Sequence, residues 1–349
     1  MSQYAPGANG LLKPIEKWLD DPQISEILLN RPKEIWIEKE GFLSVHAVPE
    51  FTESHIGRLF QLIANENSQK ISRENPLLSG SLQDGSRIQL CLPPTAKYHT
   101  LSIRRKVVRN FTLEDYKKSQ FYSNVQIANI NEYTFESLPD SEKQLLLLFQ
   151  AKDWDTFIKT AITLKKNIVI SGGTSSGKTT FLNACLHHIS HDDRMIILED
   201  TREIEIPHQN QVQLLASKGE QGEAKVNMQE LVQCCLRLRP DRIIMGEIRG
   251  AEIMDFVSAC STGHEGSLTS IHANNPRIAF MRMTQLYKLN NVPSMTDNDI
   301  MRELKEVVDI IIQIAKTPNG RKIQSIYYKY ADIPTHEKEH NKHNKHHKT

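Results

Sequence analysis

No run of this chain comes near the roughly 18 consecutive apolar residues that a bilayer-spanning helix needs. The densest stretches, Leu145 to Phe149 and Val307 to Ala315, are short or interrupted by charge. The first residues lack the basic-then-apolar pattern of a secretion signal. Cysteine pairs are missing too. Cys91, Cys185, Cys234, Cys235 and Cys260 show no C-x-x-C spacing, which argues for buried thiols in a reducing cytoplasm and against a zinc site. Nor does one sign of charge prevail: 43 Lys and Arg residues meet 42 Asp and Glu, a formal charge of +1. Such a chain has no global electrostatic footprint for nucleic acid, and 7% aromatics do not favour a base-stacking channel. The expectation is a cytoplasmic protein, with peripheral membrane contact and direct nucleic-acid contact left open.

What is present is 349 residues, enough for two domains of ordinary size. Residues 1–109 read as a small α+β domain. Alternating segments Glu34 to Glu38 and Leu43 to Ala47 flank Glu40-Gly41 as a hairpin. Ile56, Leu59, Phe60 and Ile63 fall at helical spacing. In strands over 86–92 and 101–104, Arg87 and Arg104 point away from the apolar side. On spacing alone these two are ordinary surface arginines. Residues 110–153 read as a linker with short helices, longer than ordinary connections.

Residues 154–330 alternate strand and helix, with strands expected at 168–171, 195–198, 243–246, 267–271, 309–315 and 322–328. Helices are expected around Phe181 to Ile189, Leu231 to Leu236, Ile253 to Cys260 and after Thr296. That pattern calls for a mostly parallel sheet with helices on both faces, hence an α/β fold. Residues 331–349 read as a disordered, His- and Lys-rich tail.

The chain is organised around Gly172-Gly-Thr-Ser-Ser-Gly-Lys-Thr-Thr180, which follows the apolar run Ile168-Val-Ile170 and opens a helical pattern. This is a phosphate-binding loop in its strand-loop-helix setting. Gly172, Gly173, Thr174, Ser175, Ser176 and Gly177 would wrap phosphate oxygens with backbone N–H groups. Lys178 brings a charge to the β- and γ-phosphates, Thr179 a hydroxyl to Mg²⁺, and Thr180 continues the helix start. ATP and Mg²⁺ are the cofactors expected.

Acids should follow neighbouring strands, because ligands collect at the carboxyl ends of an open parallel sheet. Glu199, Asp200 and Glu203 follow one expected strand, and Glu247 follows another. Glu199, Asp200 and Glu247 are candidates to hold the metal, directly or through water. Gly246 stands where a metal-binding aspartate is usual. Thr262-Gly-His-Glu-Gly266 and His272 flank a further strand, and an imidazole there can meet a γ-phosphate.

Taken together, these motifs resemble those of the secretion-traffic ATPases. The phosphate loop is similar to their Walker A, Glu199-Asp-Thr-Arg-Glu203 to their Asp box, Arg239 to Arg249 to their atypical Walker B, and Thr262 to Gly266 with His272 to their His box. Across residues 15–330 the chain most resembles the hexameric ATPases of bacterial type IV secretion systems, the VirB-eleven type. The resemblance implies a RecA-like ATPase domain, with Glu203 and Glu247 acting on the attacking water and His272 sensing the γ-phosphate. It also implies that Arg87 and Arg104 are lent to the nucleotide by the N-terminal domain. A homohexamer at the inner membrane is implied, working with membrane components of the secretion or conjugation machine. The long linker would let each N-terminal domain sit on a neighbouring subunit. Ser175 departs from the family pattern, which has glycine there. The rivals are a type II secretion or type IV pilus motor, a DNA translocase and a non-hydrolysing scaffold.

Overall fold

The computed structural model describes residues 7–105, 118, 133–217, 224–318 and 320–334. Most of the expected linker and the tail from 335 onward lie outside them. Two sheets divide the described chain. The first is antiparallel throughout, in the order β3-β2-β1-β6-β5-β4. Its strands are β1 (Ile24–Leu29), β2 (Glu34–Lys39), β3 (Phe42–Ala47), β4 (Leu77–Ser81), β5 (Arg87–Cys91) and β6 (Thr100–Arg104). Three helices, α1 (Ala8–Leu12), α2 (Glu16–Leu19) and α3 (Glu53–Glu66), complete the unit. Alternation sorts the residues. Ile27, Leu29, Ile35, Ile37, Ile88, Leu90, Leu101 and Ile103 turn to one side and pack with Ile56, Leu59, Phe60 and Ile63 of α3.

The other side of this sheet is polar, and much of it is nevertheless buried: Glu26, Gln89, Thr100 and Ser102 are each under 5% exposed. It faces the second unit of the same chain. Asn30 Oδ1 accepts from Arg194 Nη1 at 2.7 Å, and Asn30 Nδ2 donates to Asn210 Oδ1 at 3.0 Å. Arg239 pairs with Glu38 across the seam and with Asp241 on its own side. Leu215 N donates to Thr95 O at 2.7 Å, a strand-edge contact beside an Ala96–Leu214 bridge. The N-terminal unit therefore packs in cis. This counts against a unit seated on a neighbouring subunit, which the long linker would have allowed: Asn30, Glu38 and Thr95 find partners across the seam within one chain.

The second sheet runs β13-β12-β7-β11-β10-β8-β9 and is parallel except for β13. Its strands are β7 (Ile168–Gly172), β8 (Met195–Glu199), β9 (Gln211–Leu215), β10 (Arg242–Met245), β11 (Leu268–Ile271), β12 (Ile310–Thr317) and β13 (Gly320–Tyr328). Val169, Ile196, Leu198, Ile243, Met245 and Ile311 face α7 (Met228–Cys235), α8 (Glu252–Ser261), α9 (Pro276–Tyr287) and α10 (Asp297–Val307). Ile168, Ile170, Met195, Ile197, Ile244 and Ile312 face the opposite layer, α4 (Asp140–Ala151), α5 (Trp154–Thr163) and α6 (Lys178–Leu186). Near-continuous apolar strands covered on both faces are what a parallel sheet requires. α10 opens with a capping box in which Thr296 and Asp299 satisfy each other's backbone N–H.

Strands β1, β4 and β9 and helices α5 and α9 were not expected. The boundary at 154 also moves. Leu138, Leu145 and Leu146 lie in one core with Phe157, Ile168 and Leu182, so α4 is part of the second unit and not a linker. Leu145 is 0% exposed, so Leu145→Ala should lower the stability of this unit by about 2–5 kcal/mol. Urea unfolding checks this, and a loss under about 1 kcal/mol would return α4 to the linker.

Candidate active site

The carboxyl ends of β7, β8, β10 and β11 open into one cavity of about 770 Å³. Thr174 to Thr180, Glu199, Asp200, Glu203, Gly246, Glu247 and His272 line it, joined by Arg249, Thr201, Ser270 and Arg321. The structure thus brings together every predicted loop residue except Gly172 and Gly173, which precede the lining in the same loop, and all the predicted acids. Arg87 and Arg104 do not line it.

The loop takes its shape from a few backbone positions. Gly172 has no room for a side chain: a Cβ there would sit 2.7 Å from Ile314 O and 2.4 Å from Ser176 Oγ. Gly177 caps α6 at φ 95°, a left-handed conformation that glycine adopts freely. Ser175 also has positive φ, 58°, so the residue that departs from the family pattern occupies the position where a side chain is strained. Lys178, at the first turn of α6, is 9% exposed. Its Nζ donates to Gly172 O at 3.1 Å and Gly173 O at 3.3 Å. Burial lowers its pKa, Glu247 pulls it back up, and Arg249 opposes that. An ammonium resting on two carbonyls exchanges them readily for phosphate oxygens, which carry full charge.

Glu247 stands just past β10. Arg249 Nε donates to its Oε2 at 2.7 Å and, through Nη1, also holds Asp200. His272 Nε2 lies 3.1 Å from Glu247 Oε1, off the line of a hydrogen bond. Lys178 Nζ is 3.4 Å from His272 Nδ1. Lysine, histidine and glutamate therefore form one cluster from three strands. Arg249 stood in the Arg239–Arg249 motif without a role; it fixes one oxygen of Glu247 and leaves the other beside His272. His264 is placed elsewhere: it bonds the Pro240 carbonyl at 3.2 Å, at the amino end of β10.

Glu199 behaves differently from the other acids. Its Oε1 accepts from Glu203 N at 2.7 Å and Ile204 N at 2.8 Å, which holds the Glu203 turn in place. Of the side chains lining the cavity, Glu199 Oε2, Glu247 Oε1 and Ser176 Oγ are buried without a hydrogen-bond partner. Unmet oxygens in one polar cavity fit a divalent cation, its waters and a phosphate. Gly246 adds to this fit. A Cβ there would meet Glu199 Cγ at 3.5 Å, so the glycine lies beside a carboxylate supplied by the next strand. Thr179, at the second position of α6, and Glu199 Oε2 are the residues that would hold Mg²⁺. The ion, when bound, would offset the phosphate charge.

The chemistry open to this cavity is phosphoryl transfer to water. For that reaction the loop's backbone N–H groups and Lys178 are placed where phosphates would be gripped, with Glu247, Glu203 and His272 lining the same cavity. Burial pushes the Glu199 carboxyl above its usual range, against the two N–H bonds that lower it. A raised folded-state pKa means that ionising Glu199 opposes folding: the group favours the fold at low pH and loses that advantage as pH rises through the raised value. Glu199→Gln retains an acceptor and removes the charge. Its melting temperature should equal or exceed the parent's at about pH 7, the difference closing toward about pH 4. A variant that melts lower at neutral pH would show that the charge itself secures the turn.

This chain is similar to known proteins over most of its length. A family model described as "Type II/IV secretion system protein" matches residues 11–343. The type IV secretion system protein VirB11 of Brucella suis is 35% identical over 333 residues, 93% of this chain and 91% of that protein. The VirB11 protein of Agrobacterium fabrum is 33% identical over 307 residues, 86% and 88% of the two chains. The crystal structure of the VirB11 ATPase from the Brucella suis type IV secretion system, in complex with sulphate, superposes with a TM-score of 0.86 at 33% identity, covering 93% of this chain and 98% of that one. Sequence and fold agree over nearly the whole length, and this chain belongs to the VirB11 family of type IV secretion ATPases.

Proposed function

We propose that this ATPase works as a homohexameric motor of a bacterial type IV secretion or conjugation system. ATP with Mg²⁺ draws the N-terminal unit toward the cavity, and hydrolysis releases it. The observation that carries the reading is the convergence of Lys178, Glu247 and His272 in one cavity, within 3.4 Å of one another in sequence of contact. A γ-phosphate between them would be gripped, attacked and sensed at once. ATP and ADP differ in that phosphate alone, so the two states of the ring differ by whatever the γ-phosphate contacts are worth.

Glu247 orients and deprotonates the attacking water through its unpartnered Oε1, while Glu203 steadies that water from the β8 side. Thr179 and Glu199 Oε2 would hold Mg²⁺ beside the phosphates, and Asp200 would act on it through water. Arg87 and Arg104 face each other across β5 and β6 in one register pair, and both are exposed at the margin of the polar face. Arg104 Nε donates to Glu26 at 2.5 Å. In a head-to-tail ring, a unit docked on its own ATPase unit presents this margin to the next subunit, so the two arginines serve the neighbour's nucleotide. The ring sits in the cytoplasm against inner-membrane components of the machine, powering pilus assembly and substrate passage. No helix among the described residues is long and apolar enough to cross a membrane, which suits peripheral attachment.

Two measurements test this. With ATP and Mg²⁺ the purified 40.0 kDa chain should elute as a hexamer and release phosphate without DNA. A monomer that hydrolyses only with DNA would favour a translocase. Lys178→Ala and Arg87→Ala should each lower turnover by at least about 100-fold. Mixed rings of the two variants should recover part of it, because each supplies what its neighbour lacks. No recovery on mixing would mean that the arginine acts within its own subunit or not at all.

A further inference from the structure

The groups assigned to the γ-phosphate all come from one side of the loop strand. In the order β13-β12-β7-β11-β10-β8-β9, His272 follows β11, Glu247 and Arg249 follow β10, and Glu199 and Glu203 follow β8. On the other side of β7 lie only β12 and β13. These two pair out to Thr317 and Gly320. Because β12 runs parallel to β7, that end of the hairpin reaches the same edge as the phosphate loop. Among the described residues, one side chain from this side lines the cavity, Arg321.

Arg321 lies against the loop. Its Nε donates to Ser175 O at 3.2 Å, and its Cδ is 2.8 Å from where a Cβ on Gly177 would sit. Gly177 is the cap of α6, next to Lys178. A guanidinium has five donors in a planar fork. With Nε on the Ser175 carbonyl and the group lying against Gly177, the terminal nitrogens remain, and among the described residues no carboxylate pairs with them.

A bound triphosphate has a direction. Its γ end must lie by Glu247 and His272 for the chemistry to occur, and its β-phosphate must lie in the loop. The α-phosphate and nucleoside then continue past the first turn of α6, on the side where Arg321 stands. We propose that Arg321 is a nucleotide-binding residue that receives the nucleoside end, its guanidinium stacking on the face of the base while Nε keeps hold of the loop. This rests on the cavity being an ATP site. It adds to that site a wall built by the C-terminal hairpin, which makes β12 and β13 part of nucleotide recognition. A cation lying on an aromatic face is an attraction of the size expected for such a contact.

Two roles must be separated, because Arg321 also steadies Ser175 at its positive φ. ADP, a non-hydrolysable ATP analogue and inorganic tripolyphosphate are titrated by calorimetry into the full chain, into Arg321→Ala, and into Ser175→Gly alone and combined with it. Arg321→Ala should weaken ADP and the ATP analogue alike, by about fivefold to thirtyfold. Tripolyphosphate, which has no base, should bind within about twofold of the parent. The nucleotide loss should persist in the Ser175→Gly background. The proposal is overturned if tripolyphosphate weakens as much as ADP, if Ser175→Gly restores nucleotide affinity to Arg321→Ala, or if the nucleotides bind the variant as tightly as the parent. A parent chain that binds neither nucleotide nor tripolyphosphate would instead sink the reading of the cavity itself.

Discussion

Lys178, a residue 9% exposed, rests its ammonium on the carbonyls of Gly172 and Gly173. A buried cation is tolerable only where polar groups replace its water. The loop must therefore present carbonyls to Lys178 and N–H groups to phosphate at the same time. That demand explains the missing side chain at Gly172, the left-handed cap at Gly177 and the strained Ser175. It also explains the setting. β7 is central in its sheet, so a rigid strand delivers the loop and apolar helices on both faces fix the position of α6.

The site's local parts were legible in the sequence because local chemistry defines them. Glycine spacing, a lysine and a hydroxyl identify the loop, and acids following apolar strands identify Glu199, Glu203 and Glu247. The alternation of β2, β5 and β6 was equally plain, since each has one face in a core; β3 alternates without burying a residue. Helix α9 was harder. Ile278, Met281 and the following Leu289 are exposed, so apolar residues lie on the outside as well as the inside and blur the helical period. Asn275-Pro276, a cap followed by proline at the first position, was the signal that could have found it.

What sequence could not supply was contact between distant segments. Arg321 meets a loop 146 positions away, and nothing near it in the chain marks it. Arg249 was visible, but its hold on both Glu247 and Asp200 depends on β8 lying beside β10. The two arginines of the N-terminal sheet show the reverse case. Spacing placed them on one face correctly, yet spacing says nothing of which cavity that face meets. Leu145 and Leu146 read as a linker because the weak pattern around them hid two residues of a core.

The seam between the units has a character of its own. Beside a small apolar strip, where Cys91 and Ala96 join the ATPase core, it is made of amide, guanidinium and carboxylate contacts from Asn30, Arg194, Asn210, Glu38 and Arg239. Water can take over each such contact at small net expense, whereas apolar carbon cannot be wetted so freely. Prying the halves apart along the polar side would thus wet little hydrocarbon and leave a modest heat-capacity trace. Glue of this kind sets an angle more firmly than it resists separation, and suits a machine whose halves must change posture at every turn of the cycle.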